Sequence, residues 1–337
     1  MLNDTTVLEV APWIRSQARQ LLAQRGHAWL VQGPSGLGQY DLAMALARAW
    51  LCEQPTEAGA CAACSSCHAI DVHTHADLCV LMPEDILMVR GWPLGERAQS
   101  EIDDKKRKPS KEIRVDAMRE AVEFAQRTSA RGRGKVVLVY PAEQMNTITA
   151  NTLLKTLEEP PGDVKFVLAS ESAHQLLPTI RSRCLGHSML WPDRQASLDW
   201  LKTKGCDSEQ TQLLLQAMGG RPDDALAFNG SGRDPSVWRA LPSAVGEGNL
   251  GFFKDWTIPQ TVDALHKLCH DMIVSRVGAQ PRFFEAPLPK SMASISTLTE
   301  WNRALSRTIR TMEHPFNVGL MQEALVGQAK TVLNSDH

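Results

Sequence analysis

The sequence predicts an α/β protein: a mostly parallel sheet in its first part, followed by an all-helical remainder. Three observations carry that expectation. Short apolar runs alternate with amphipathic stretches up to about Trp191, a glycine-rich loop stands between a strand and a helix, and beyond that point helical periodicity replaces strand signals. At 337 residues the chain exceeds one ordinary domain, so two or three are expected.

Taken in order, Trp29 to Gln32 reads as a short buried strand and Leu42 to Trp50 as the helix behind the glycine loop. Leu78 to Leu81 is a second apolar strand. Residues Gly95 to Lys111, with Lys105, Lys106, Arg107 and Lys108, form a charge-dense insert whose simplest form is a mobile solvated loop, with phosphate contact the lesser alternative. Asp116 is placed to cap a helix with Met118, Val122 and Phe124 or Ala125 on its apolar face. A basic loop, Arg131, Arg133 and Lys135, precedes the strand Val136 to Val139. It is a candidate for nucleic-acid contact, or basic through exposure alone. A helix from Asn151 to Glu158 ends before Pro160 and Pro161, and Lys165 to Ala169 is a further strand. Afterwards Leu198, Trp200, Leu201 and Leu213 to Leu215 punctuate short helices, which Gly219-Gly220-Arg221-Pro222 interrupts. Leu265, Leu268, Met272 and Ile273 form one later stripe, and Leu320, Met321, Leu325 and Val326 another, both read as core or subunit contacts.

Composition narrows the class. Hydrophobic residues at 43% and charged residues at 22% fit a globular chain and exclude disorder as its main state. There is no apolar run of about 18 residues to cross a membrane, and Met1 to Trp13 lacks the basic start and apolar centre of a secretory leader, so the expected location is the cytoplasm. A net charge of −2 gives the whole chain no attraction for nucleic acid, so such contact must be local or shared with partners.

The loop Gly33-Pro-Ser-Gly-Leu-Gly-Gln39-Tyr40 keeps the glycine skeleton of a phosphate cradle, including Gly38, but not its chemistry. Gln39 stands where a Lys neutralises the β- and γ-phosphates, and Tyr40 where a Ser or Thr hydroxyl binds Mg²⁺. The second expected metal contact, a carboxylate ending a buried strand, is also missing: Val136 to Val139 run into Tyr140 and Pro141. Glu143 lies further on, past the proline turn. ATP hydrolysis by this chain is not expected, and no ATP is expected to bind.

Cys52, Cys61, Cys64 and Cys67 form a C-x8-C-x2-C-x2-C run, a spacing that lets neighbouring thiolates face one ion. Four ligands close a tetrahedral shell without an open position for water, so the expected Zn²⁺ is structural. Disulfides are disfavoured by a reducing compartment, and a redox pair normally opens a helix after a strand rather than following a loop. His68 and His73 are adjacent alternatives for a fourth ligand if Cys52 is too distant. The isolated Cys79, Cys184, Cys206 and Cys269 read as small packing residues.

The defective loop at Gly33, the cysteine module behind its helix, the run Asn151-Thr-Leu-Leu-Lys-Thr-Leu-Glu-Glu-Pro-Pro161 and Ser182-Arg183-Cys184 together resemble the bacterial clamp-loader AAA+ proteins. The resemblance implies an AAA+ parallel-sheet P-loop domain with an inserted zinc module over residues 1–190, a small helical lid over 191–232 and an all-α collar for oligomerisation over 233–337. It implies a subunit ring containing ATP-binding motor subunits of the gamma/tau type and a delta subunit, which places a sliding clamp on primed DNA for the replicative polymerase. Loss of the ATPase residues with Ser-Arg-Cys retained implies a stator that hydrolyses nothing itself. Arg183, beside Ser182, would act in trans as an arginine finger on a neighbour's ATP, with Arg181 the alternative if the register slips. On its residue type alone, Arg183 reads as a surface ion-pair residue. The resemblance also places Arg221 and Ser170 at nucleotide-sensing positions. Two rivals stand beside this reading: an active motor ATPase with an unusual loop, and a zinc-dependent nucleic-acid-binding module.

Overall fold

The structure, a computed structural model, describes residues 10–206, 208–231, 234–285, 287–311 and 317–335. Most of the segment read against a leader, residues 1–9, lies outside the described residues. The chain divides into two compact units, the first ending at Pro192 and the second beginning at Asp193.

In the first unit five strands form one parallel sheet: β1 (Ala28–Gln32), β2 (Leu78–Leu81), β3 (Lys135–Val139), β4 (Val164–Ser170) and β5 (Leu185–Ser188), in the spatial order β2-β3-β4-β1-β5. Helices on both faces explain why the central strands are near-continuous apolar runs; Val136, Val137, Leu138 and Val139 are at most 1% exposed. The register sets Leu30 beside Leu168 and Val137 beside Phe166. The helix Gln39–Leu51 buries Leu42, Ala43, Leu46 and Ala47 and runs antiparallel to the sheet, as a crossover must.

Several expectations change. β5, which the sequence reading did not find, is an edge strand with the pattern Leu-Gly-His-Ser and three exposed positions. The helix after Ile113 is Val115–Gln126, and its N-cap is Arg114 without a side-chain cap; Asp116 lies in the first turn instead. Asn146 does cap its helix, Thr147–Glu158, by accepting from the Thr149 N–H. The insert is not a bare solvated loop. It contains the helix Glu96–Asp103, and Arg107 donates to Glu84 through Nη1 and Nη2 at 2.5 and 2.8 Å and to Glu101 at 2.7 Å. The Arg107 guanidinium holds the Glu84 carboxyl below its usual range.

Lys135 is not part of an exposed basic loop. It opens β3, is buried, and reaches Asp77 at 3.3 Å with the Phe124 ring 4.0 Å away. Asp77 is fully buried and also accepts from the Ala130 N–H at 2.8 Å, the Arg131 N–H at 2.9 Å and Ser129 Oγ at 3.1 Å. Burial pushes this carboxyl up, but the donors outweigh burial and its pKa is lowered. Asp77→Ala is therefore expected to cost about 3–5 kcal/mol in denaturant unfolding, because it strands a buried ammonium. Because the folded-state pKa is the lower one, Asp77 contributes its full stability above the ordinary carboxylate range and loses it as pH falls through and below that range. The gap between wild type and variant should accordingly narrow in acid, and a gap constant with pH would contradict this role.

The second unit is all helical. One continuous core runs from Leu201 to Leu333 and takes in Trp238, Phe253, Leu265, Leu268 and Trp301. The helices Arg194–Thr203, Ser208–Ala217 and Pro222–Gly230 share this core with those that follow, including Ser236–Glu247, Ile258–Arg276 and Val318–Leu333. The helix Ile295–Thr311, also in this core, falls in the region expected to be all-helical, though the sequence reading named no stripe for it. Buried Asp271 accepts the backbone N–H groups of Arg282, Phe283 and Phe284 at 2.7–3.0 Å, fixing that loop beneath Trp238. Of the later stripe, Leu325 and Val326 are buried, whereas Leu320 is 67% exposed. Among the described residues no helix is long and apolar enough to cross a membrane.

Candidate functional site

The glycine loop lies at the carboxyl end of β1, between the ends of β4 and β5. That position, beside the central strand's end and a helix N-terminus, is where doubly wound folds bind ligands. Gly38 has φ 89°, a conformation few side chains tolerate, and a Cβ on Gly33 would meet Met189 Cβ at 2.8 Å, so Gly38 is required by its backbone and Gly33 by the close approach of Met189. The chain's own side chains fill the cradle. Gln39 is 2% exposed, and its amide nitrogen donates to the Gly33 carbonyl at 2.7 Å and the Pro34 carbonyl at 2.6 Å. Both amide protons are therefore spent on the loop itself.

Tyr40 is held from the other side. Its hydroxyl accepts from Trp92 Nε1 at 2.8 Å, the Arg90 guanidinium lies 4.0 Å from its ring centroid, and the Tyr140 ring is 5.5 Å away. Tyr140 in turn donates to Glu171 at 2.7 Å. Burial pushes both phenols up, so they remain neutral hydroxyls. Glu143 Oε1 accepts the Glu171 N–H at 2.9 Å, while its Oε2 is buried without a hydrogen-bond partner among the described residues. Arg90 and Trp92 were not found from the sequence, since an isolated Arg-Gly-Trp about fifty residues downstream carries no spacing signal.

The four module cysteines do meet. Their sulfurs all lie within 4.8 Å of one another, with Cys52 to Cys64 and Cys52 to Cys67 at 3.8 Å and Cys61 to Cys67 at 4.0 Å. A tetrahedron with Zn–S bonds of about 2.3 Å has edges of about 3.8 Å, so this donor set fits a zinc-sized ion. The N–H groups of Cys61, Cys64 and Cys67 point at Cys52, Cys61 and Cys64 sulfurs at 3.3–3.4 Å, the contacts that support thiolates. Burial pushes the Cys64 thiol up, but these and neighbouring hydrogen bonds bring it down to about 6; Ala63 and Cys64 amides lower Cys61, while burial raises Cys52 and Cys67. His68 and His73 are not in the cluster, and His73 instead bonds the Gly91 carbonyl and stacks on Trp92. Arg131 ties the module to the sheet, donating to Glu53 at 3.0 Å and to Ser65 at 2.6 Å.

Arg183 follows the short helix Pro178–Arg181, partly exposed, and its Nε donates to Glu158 at 2.7 Å while Nη1 reaches the Thr179 carbonyl at 2.8 Å. Ser182 is exposed, and its hydroxyl donates to the Thr179 carbonyl at 3.2 Å. Arg181 ends that helix and is also exposed. Ser170 is buried at the end of β4, and Arg221 is paired with Asp224 at 3.1 Å.

A β2-β3-β4-β1-β5 parallel sheet with a phosphate-loop skeleton after β1, followed by a helical unit, is an AAA+ architecture. Residues 14–189 match the family described as DNA polymerase III, delta subunit, and the chain belongs to that family. It is 39% identical over 228 residues to DNA polymerase III subunit delta' of Pseudomonas aeruginosa, covering 66% of this chain and 62% of that protein. It is 35% identical over 223 residues to subunit delta' of Escherichia coli K12, with 64% and 60% covered. Subunit tau of the same organism is 34% identical over 208 residues, 60% of this chain and 28% of tau. The chain thus spans less than two thirds of the length of the delta' relatives named.

Proposed function

We propose that this chain is a clamp-loader subunit of the delta prime type, cytoplasmic and part of a DNA polymerase III holoenzyme. It serves as a stator that neither holds nor hydrolyses ATP, and it donates Arg183, steadied by Ser182, to the ATP site of a neighbouring motor subunit. Motor subunits of the gamma/tau type and a delta subunit complete its ring, which opens a sliding clamp and sets it on primed DNA. The observation that supports this most is the self-filled cradle: Gln39 bonds its own loop, and Tyr40, Arg90 and Trp92 crowd the position that Mg²⁺ and its hydroxyl ligand require. The four cysteines hold structural Zn²⁺ that fixes the module after the first crossover helix. Residues 191–232 form a small helical lid, and the collar, residues 233–337, serves oligomerisation.

Relatedness to tau supports a second reading, an active motor subunit. Calorimetric titration of the isolated chain with ATP and Mg²⁺ separates the two. No heat of binding is expected up to millimolar ATP, and saturable binding would establish the motor reading instead. Gln39→Lys combined with Tyr40→Ser is expected to remain without ATPase activity, because no carboxylate ends β3 to hold the metal.

A further inference from the structure

At the opposite end of the sheet from the glycine loop, a cleft of about 450 Å³ opens between the cysteine module and the amino ends of β3 and β4. Trp50 from the end of the helix Gln39–Leu51, Pro55 and Thr56 from the module, Arg133 from the loop before β3, and Asp163 with Lys165 at β4 line it. Its size falls in the range of about 300–1,000 Å³ typical of small-ligand clefts, enough for one nucleotide.

The loop Arg131-Gly-Arg-Gly134 sorts its two arginines. Gly132 and Gly134 have φ of 70° and 78°, and a Cβ on Gly134 would meet the Asp163 carbonyl oxygen at 2.5 Å, so the turn is pressed against β4's approach. Arg131 is spent on Glu53, Ser65 and Ser66. Arg133, exposed in the cleft, has no ion-pair or hydrogen-bond partner among the described residues. The Asp163 carboxylate is matched by Lys165 at 2.9 Å, so Arg133 leaves the cleft with one positive charge in excess. Trp50 is half-buried, braced by Trp29 at a centroid distance of 4.7 Å, with Lys165 Nζ 5.9 Å from its ring. A braced indole and an unpaired guanidinium lining one cleft offer a stacking surface for a base and a fork for its phosphate.

We propose that this cleft binds one nucleotide of a single-stranded nucleic acid, its base on Trp50 and its phosphate on Arg133. A free mononucleotide carries the same chemistry, and the test separates the two. The metal-loaded full chain, without partner subunits or ATP, is titrated into fluorescently labelled oligothymidylate and followed by anisotropy. Arg133→Glu is expected to weaken binding at least about tenfold, and Arg133→Ala to reduce the salt slope by about one ion. Both variants lie in an exposed turn, and unchanged thermal unfolding certifies their fold. Trp50→Leu should weaken binding without changing the salt slope, which a purely electrostatic contact would not do. Failure of the wild type to bind, or equal binding by wild type and both Arg133 variants, overturns the proposal. Displacement by thymidine monophosphate as strong as by the unlabelled strand overturns the strand assignment. Because no nucleotide-loop residue or ring partner enters the assay, its failure leaves the stator reading standing.

Discussion

Arg183→Ala, in a clamp loader reassembled with motor and delta subunits, is expected to lower DNA-stimulated ATP turnover at the adjoining site by about 10³ to 10⁵-fold, the range of arginine fingers acting in trans. The expectation rests on placement and chemistry. Arg183 is anchored by a four-residue helix that Pro178 opens, and it leaves the domain beside Glu158, the glutamate that closes the helix Thr147–Glu158. A partly exposed ion pair of this sort contributes at most about 1 kcal/mol, so a neighbour's γ-phosphate, with greater charge and a site closed to water, outcompetes Glu158 for the guanidinium. Two comparisons isolate the role. Arg183→Lys should lose most of the effect, because an ammonium cannot span two phosphate oxygens. Glu158→Gln should change turnover little, since it frees the arginine without removing it. The isolated Arg183→Ala chain should unfold at nearly the wild-type temperature. Normal turnover by the reassembled mutant would rule out the finger and leave Arg183 an ordinary surface ion pair.

What the sequence revealed and what it hid divide along physical lines. The glycine skeleton and the cysteine spacing were legible because both are local: a backbone requirement at Gly38 or two-residue ligand gaps are written in consecutive residues. The buried strands β1, β3 and β4 were legible because burial on both faces leaves unbroken apolar runs. β5 was not, since an edge strand four residues long with Gly186 and His187 at its centre has neither a run nor an alternation. Lys135 looked like one more exposed cation because its partner, Asp77, lies 58 residues earlier and only the β2–β3 pairing joins them. The same distance effect hid Arg90 and Trp92, which meet Tyr40 only through tertiary folding. The insert misled through composition: Arg107 sits among lysines that do face solvent, and nothing in the run marks it as the residue that clamps Glu84.

Removing the metal is expected to produce the largest structural effect, and the thiol chemistry gives a way to count it. The stretch Glu53 to Ala60 between the first two cysteines is mostly exposed, and its backbone order comes largely from the Thr56–Gly59 turn, so four Zn–S bonds would supply most of the module's stability. Structural zinc sites of this kind carry about 10–16 kcal/mol of apparent binding energy at neutral pH. Purified chain should contain one zinc per molecule by elemental analysis, and Cys67→Ser should contain essentially none. Alkylation at neutral pH should be slow throughout the loaded protein; chelation, by disordering the module, should lift the burial that raises Cys52 and Cys67 and make all four module thiols fast. Cys79, Cys184 and Cys269 should stay slow, because burial pushes each of them up to about 12 and only the thiolate reacts; burial also raises Cys206. Loss of metal should also raise amide exchange at Cys61, Cys64 and Cys67, whose N–H groups point at the cluster sulfurs, while Ala130 and Arg131, held by Asp77, and β4, held by its own ladder, stay protected. A thiol count that chelation leaves unchanged, in protein free of zinc, would mean that the four sulfurs lie within 4.8 Å of one another for packing alone.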